Sequence, residues 1–76
     1  RVQYYAILRE ERGSPEEEVT TSCADALAFF EELRARHRFS LGAERLRVVV
    51  NEEFCDWSHA LHEGDTVVFV PPVAGG

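Results

Sequence analysis

Apolar and polar residues alternate at the start of the chain. In "RVQYYAIL" Val2, Tyr4, Ala6 and Leu8 point one way and Arg1, Gln3, Tyr5 and Ile7 the other, which predicts a β-strand over 1–8. "REERGSP" (9–15) is polar with Gly and Pro and predicts a turn. "EEEVTT" (16–21) ends on strand formers and predicts a polar edge strand pairing back with the first. The period then changes. Across 21–39 Ala26, Leu27, Phe30, Leu33 and His37 recur at helical spacing and give one buried stripe, while Glu31, Glu32, Arg34 and Arg36 face water. Ser22 is the expected N-cap, with Asp25 three residues on in the manner of a capping box. Beyond Gly42 the two-residue period returns: Leu46, Val48 and Val50 alternate with Arg47 and Val49. Asn51-Glu52-Glu53 turns the chain and Phe54-Cys55 resumes it. Residues 58–65 are irregular and end in a Glu-Gly-Asp turn, and 66–71 form a last strand in which Val67 and Phe69 oppose Val68 and Val70.

The order is ββ-α-ββ-β, with a single helix that must lie on one face of the sheet. The last strand is apolar on both faces, which places it centrally, beside the first strand. The expected fold is α+β: a β-grasp, or ubiquitin-like, roll with a mixed sheet of four to five strands. The helix then covers Val2, Tyr4, Ala6, Leu8, Val48, Val50, Val67 and Phe69. The opposite face holds Tyr5, Ile7, Val49, Val68 and Val70, with Phe54 able to join them. Nothing else in the chain is available to cover these residues, and an uncovered apolar face marks a partner surface.

Composition narrows the partner. The 76 residues make one domain, which hides only about 60% of its unfolded surface. Fourteen acids against eight bases give a net charge of -6. That excludes a nucleic-acid surface, which needs a basic stripe, and suits a partner with a basic pocket or rim. No apolar run approaches the roughly 20 residues that span a membrane, and no signal peptide is evident. Every base is Arg, so the chain offers no lysine amine for acyl transfer. Cys23 and Cys55 lie far apart without CxxC spacing and read as small hydrophobes in a reducing, cytoplasmic compartment.

Internal chemistry is sparse. His59-x-x-His62 lacks a clear third ligand, so a surface loop explains it and no metal site is expected. Cys55 with His59 fits no nucleophile signature. Glu16-Glu17-Glu18 reads as a solvated edge strand, and Asp56-Trp57 buries an indole at the sheet rim. The end of the sequence, "VPPVAGG", differs. Pro71 and Pro72 end pairing and favour an extended exit. Residues 71–76 reach about 20 Å when extended. Glycines at the tip remove every Cβ, so the backbone can enter a narrow channel. The expected organisation is a β-grasp domain over 1–71 and a flexible tail over 72–76.

On "YYAILRE", "VVVNEEFCDW" and above all "LHEGDTVVFVPPVAGG", the sequence resembles the small subunits of molybdopterin synthase, a family of ubiquitin-like sulfur carriers. The resemblance covers nearly the whole chain, although 9–45 matches only in pattern. It implies that an ATP-dependent adenylyltransferase related to the ubiquitin activators adenylates the carboxylate of Gly76. Sulfur from a donor protein then replaces AMP, giving a thiocarboxylate. The carrier binds no cofactor itself. Its tail inserts into the large synthase subunit of a heterotetramer, where the thiocarboxylate attacks cyclic pyranopterin monophosphate. The implied reacting end is Gly76, with Gly75 giving access. The implied contacts are Tyr5, Ile7, Val49, Phe54, Val68, Val70, Pro71, Pro72, Val73 and Ala74. Three other readings stand beside this one: a carrier for the thiazole of thiamine, a ubiquitin-like protein modifier, and an interaction domain with an inert tail.

Overall fold

A computed structural model describes residues 1–19 and 21–71 of the chain. The expected tail, 72–76, lies outside the described residues. The elements are β1 (Val2–Tyr4), α1 (Ala6–Arg12), β2 (Glu16–Glu17), α2 (Ala26–His37), β3 (Arg47–Val50), β4 (Glu53–Cys55) and β5 (Val67–Val70), with a 3-10 turn at Ala43–Arg45 before β3. The sheet order is β2-β1-β5-β3-β4. β5 runs parallel to β1 and antiparallel to β3, so the last strand is central and beside the first, as its two apolar faces require.

One face of this sheet meets α2. Val2, Tyr4, Val48, Val50, Val67 and Phe69 are buried against Ala26, Phe29, Phe30 and Leu33, with Leu8, Phe39 and Leu46 closing the ends. Phe69 is the centre of an aromatic cluster. Its ring lies edge-on to Phe30 at 5.0 Å and stacked on Trp57 at 5.9 Å. Each such pair adds about 0.5–1.5 kcal/mol beyond area burial.

The N-terminal third departs from the sequence pattern. The strand stops at Tyr4, and residues 6–12 are helical where strand and turn are expected. Ala6 takes φ 52°, which breaks the ladder and turns the chain. Leu8 still reaches the core, but Ala6 is exposed and Ile7 sits on α1 rather than on a strand. The helical signal was present: 6–12 are good helix formers, and Gly13 at φ 82° stops them, its N–H donating to the Arg9 carbonyl at 2.9 Å. β2 shrinks to two residues of the expected 16–21, and Thr20 lies outside the described residues.

α2 starts later than Ser22. Asp25 is the N-cap, its Oδ1 accepting from the Ala28 N–H at 2.9 Å. The loop before β5 satisfies two further first-turn donors: Ala26 N–H donates to the His59 carbonyl at 3.1 Å and Leu27 N–H to that of Trp57 at 3.0 Å. The stripe is Ala26, Phe29, Phe30 and Leu33. Leu27 falls outside it, 42% exposed, and His37 is half-buried.

His37 leads to a polar hub that the pattern concealed. Glu17 is not solvated; its side chain is only 15% exposed. Its Oε2 accepts from the Tyr4 hydroxyl at 2.7 Å and Arg12 Nε at 2.8 Å, and lies 2.9 Å from His37 Nε2. One carboxylate thus ties β2 to β1, α1 and α2. Burial alone would raise the Glu17 pKa. Hydrogen bonds from Arg12 and Tyr4, with the charges of Arg12 and His37, outweigh it and hold the group at about 2 against an ordinary 4.5. Burial first, then the Glu17 carboxylate, pushes the Tyr4 phenol well above its ordinary value.

Because the folded-state pKa is depressed, the stability from Glu17 is fully present above pH 4.5 and is lost as pH falls toward 2. Glu17→Ala is expected to cost about 2–3 kcal/mol at pH 7, since it leaves Tyr4 and Arg12 without their acceptor. Glu17→Gln should flatten the acid limb of the melting temperature between those pH values. Melts of the three proteins from pH 7 to pH 2 check both outcomes.

Candidate functional site

The face of the sheet away from α2 has no covering layer among the described residues. Strand register brings Gln3, Val68, Val49 and Phe54 into one row across β1, β5, β3 and β4. Two residues further along β5, Val70 lies opposite Arg47 on β3. Val49, Val68 and Val70 are half-buried, and Tyr5 and Phe54 are 50% and 66% exposed. Gln3, Tyr5, Val49, Val68 and Val70 line a shallow groove that Asn51, Glu52 and Thr66 close at the hairpin end.

Four of the expected contact residues, Tyr5, Val49, Val68 and Val70, therefore meet in one groove. Phe54 flanks them on the edge strand β4. Ile7 is exposed but on α1. Pro71 is half-buried directly beyond β5. Pro72, Val73, Ala74, Gly75 and Gly76 lie outside the described residues. The sequence pattern gave no role to Arg47, whose guanidinium carbon stands 5.6 Å from the centroid of the Phe54 ring. Its place was legible in the period, since Arg47 and Val49 share a face.

The β3–β4 turn bounds one end of the groove. Asn51 and Glu52 both have positive φ, 50° and 71°, the geometry of a two-residue hairpin loop. Glu53 belongs to β4 rather than to the turn. Asn51 also bridges to the start of β5: its N–H donates to the Thr66 carbonyl at 2.9 Å, its Oδ1 accepts from the Thr66 N–H at 3.0 Å, and its Nδ2 donates to Asp65 Oδ1 at 2.9 Å. The backbone N–H of His62, then the Asn51 amide, hold the Asp65 carboxyl below its ordinary range.

Nucleophilic chemistry finds little support here. Cys23 donates to Glu32 Oε2 at 3.0 Å. Thr21 favours its thiolate, but the Glu32 carboxylate and burial prevail and push the thiol up. Burial, then Asp56, raises Cys55. Neither favours the thiolate that attack requires. His59 and His62 are exposed loop residues, and among the described residues no three His, Cys, Asp or Glu side chains gather as a metal site. Among the described residues no helix is long and apolar enough to cross a membrane. What the described residues offer instead is an open apolar groove on the sheet, with Pro71 just beyond it at the end of β5.

A five-stranded mixed sheet with parallel first and last strands at its centre and one long helix on one face is a ubiquitin-like β-grasp. The chain belongs to the ThiS family, whose model matches residues 2–76. It is 33% identical to the molybdopterin synthase sulfur carrier subunit of Escherichia coli (strain K12) over 79 aligned positions, covering 100% of this chain and 98% of that protein. Among solved structures, a putative molybdopterin converting factor, subunit 1, from Pyrococcus furiosus superposes with a TM-score of 0.78 at 29% identity, over 95% of this chain and 94% of that one. A chain of the BexX/CysO complex of Amycolatopsis orientalis gives 0.70 at 28%, over 99% and 97%.

The two faces should respond differently to substitution. Phe69→Ala, in the aromatic cluster, is expected to destabilise by about 3–5 kcal/mol, whereas Phe54→Ala should cost less than about 1 kcal/mol. Urea titration of the two variants checks the difference.

Proposed function

We propose that this chain is the sulfur-carrier subunit of a molybdopterin synthase and that its reacting group is the α-carboxylate of Gly76. The observation that carries the reading is the full-length likeness to the E. coli subunit. In this chain the segment Pro71-Pro72-Val73-Ala74-Gly75-Gly76 follows a central β5.

The chemistry starts from what a carboxylate lacks. It is a poor electrophile until a leaving group is attached. An adenylyltransferase related to the ubiquitin activators transfers AMP from ATP to the Gly76 carboxylate, releasing pyrophosphate. A sulfide-level sulfur from a donor protein attacks the carbonyl carbon, the bond to the AMP oxygen breaks, and a thiocarboxylate remains. That anionic sulfur attacks a carbon of cyclic pyranopterin monophosphate within the large subunit, forming a C–S bond. Water then cleaves the acyl–sulfur bond, leaving sulfur on the pterin and returning Gly76 as a carboxylate. The large subunit supplies acid, base and pterin pocket. The carrier contributes reach through Pro71, Pro72, Val73 and Ala74, access through Gly75, and docking through Tyr5, Val49, Phe54, Val68 and Val70. The exposed rings of Tyr5 and Phe54 beside a half-buried valine floor support this docking surface.

The family match by itself also fits a carrier for a different sulfur acceptor. Reconstitution with cyclic pyranopterin monophosphate and the large subunit separates the two, since only the proposed carrier yields molybdopterin.

Intact mass of the protein from its native cell should show one sulfur-for-oxygen exchange on the C-terminal peptide. Gly76→Ala, or one residue added after Gly76, should abolish molybdopterin formation while melting at the wild-type temperature. Normal product from an unprocessed extended chain refutes the proposal. Tyr5→Arg or Phe54→Arg should weaken association with the large subunit by about 1–2 kcal/mol, as loss of an aromatic anchor does. Titration of each variant against that subunit reads this directly.

A further inference from the structure

Glu52 is in the wrong place for the stability of its own domain. It is the second residue of the two-residue turn between β3 and β4, at φ 71°. Glycine is the usual occupant there, and an L side chain in this region costs about 1–2 kcal/mol. Asn51 before it also has positive φ, but its side chain bridges to Thr66 and Asp65. Glu52 has no such compensation: among the described residues its carboxylate has no hydrogen-bond or ion-pair partner, and the residue is exposed. It nevertheless lines the rim of the apolar groove, at the end opposite Pro71. The other end of that face carries Arg47, opposite Val70. Three residue steps along β3 take the chain from Arg47 to Val50, about 10 Å of strand, and Glu52 lies beyond. The open face therefore has an apolar floor, an anion at the hairpin end and a cation at the end from which the tail departs.

We propose that Glu52 is a docking residue that receives an Arg or Lys side chain of the partner protein, and that the opposed charges of Glu52 and Arg47 fix the direction in which the partner lies along the groove. The inference rests on the function proposed for the chain, with the large synthase subunit as the occupant. A partner with an apolar strip and a cation at one end pairs that cation with Glu52 in one orientation. Turned end for end, it sets the cation against Arg47 and leaves Glu52 desolvated and unpaired. Attraction in one direction and repulsion in the other select a single orientation. That orientation is the one in which residues beyond Pro71 enter the partner from a fixed side. A strained, unpartnered side chain beside a recognition surface is the form such a contact takes before its partner arrives.

The test is titration of the full chain and four variants against the large subunit of the same organism, at low and high salt, with a melt of each variant. Glu52→Gln is expected to weaken binding about fivefold at low salt, the upper range for a rim charge pair. Glu52→Arg should weaken it by more than tenfold, and Glu52→Asp should retain near wild-type affinity. The losses should shrink at high salt, where the charges are screened. Glu52→Gly should melt about 3 °C higher than wild type while binding as weakly as Glu52→Gln, so the fold and the contact respond in opposite directions. If the wild-type chain binds and the glutamine and arginine variants bind equally well, Glu52 is not a docking residue and the carrier reading stands. If the wild-type chain does not bind the large subunit, the carrier reading falls and this inference falls with it.

Discussion

The parallel pairing of β1 with β5 is the constraint on which the rest of the molecule depends. It joins Val2 to Val67 and Tyr4 to Phe69, residues 65 positions apart. With β3 on the other side, β5 is hydrogen-bonded along both edges. That fixes which side chains face α2, since the period of two leaves no freedom once the register is set. It also fixes the open face, because Val68 and Val70 must then point away from the helix. The point where Pro71 leaves the sheet is set by the same register. Core, open groove and the position of Pro71 are three consequences of one strand pairing.

Much of this was legible wherever a single period governed a segment. β3 and β5 and their inner residues follow from alternation in 46–50 and 66–70, β4 is legible only from Phe54 onward, and the central place of β5 follows from its apolar residues on both faces. The N-terminal segment misled because two periods overlap there. Val2, Tyr4 and Leu8 are buried in strand and helix readings alike, so alternation through Ala6 could not distinguish them. The decisive event is a single positive φ at Ala6, which the sequence does not announce. Glu17 was illegible for a different reason. A run of three glutamates looks solvated until α1 and α2 bring Arg12 and His37 to one of them. Long-range pairing of that kind carries no local signal.

At the site, the apolar residues were foreseen and the charged ones were not. Tyr5, Val49, Val68 and Val70 belong to the groove because the sheet is two-sided, a property of the pattern. Arg47 over Phe54 depends on cross-strand neighbours, and Glu52 in its turn depends on backbone geometry. A groove read from hydrophobicity alone thus has its apolar floor and lacks its charges.

β2 offers a last consequence, concerning how copies of the protein behave when crowded. A free strand edge is a template on which another chain can add a strand. Here that edge is two residues long, both glutamate, with Glu18 next in the chain. Glu17 is turned inward to Tyr4 and His37. Glu16, 3.9 Å from the Arg1 guanidinium, and Glu18 remain, and like charge on the same segment of a second molecule opposes pairing there. The free edge is thus short and acidic, in a domain whose open sheet face exposes aromatic rings.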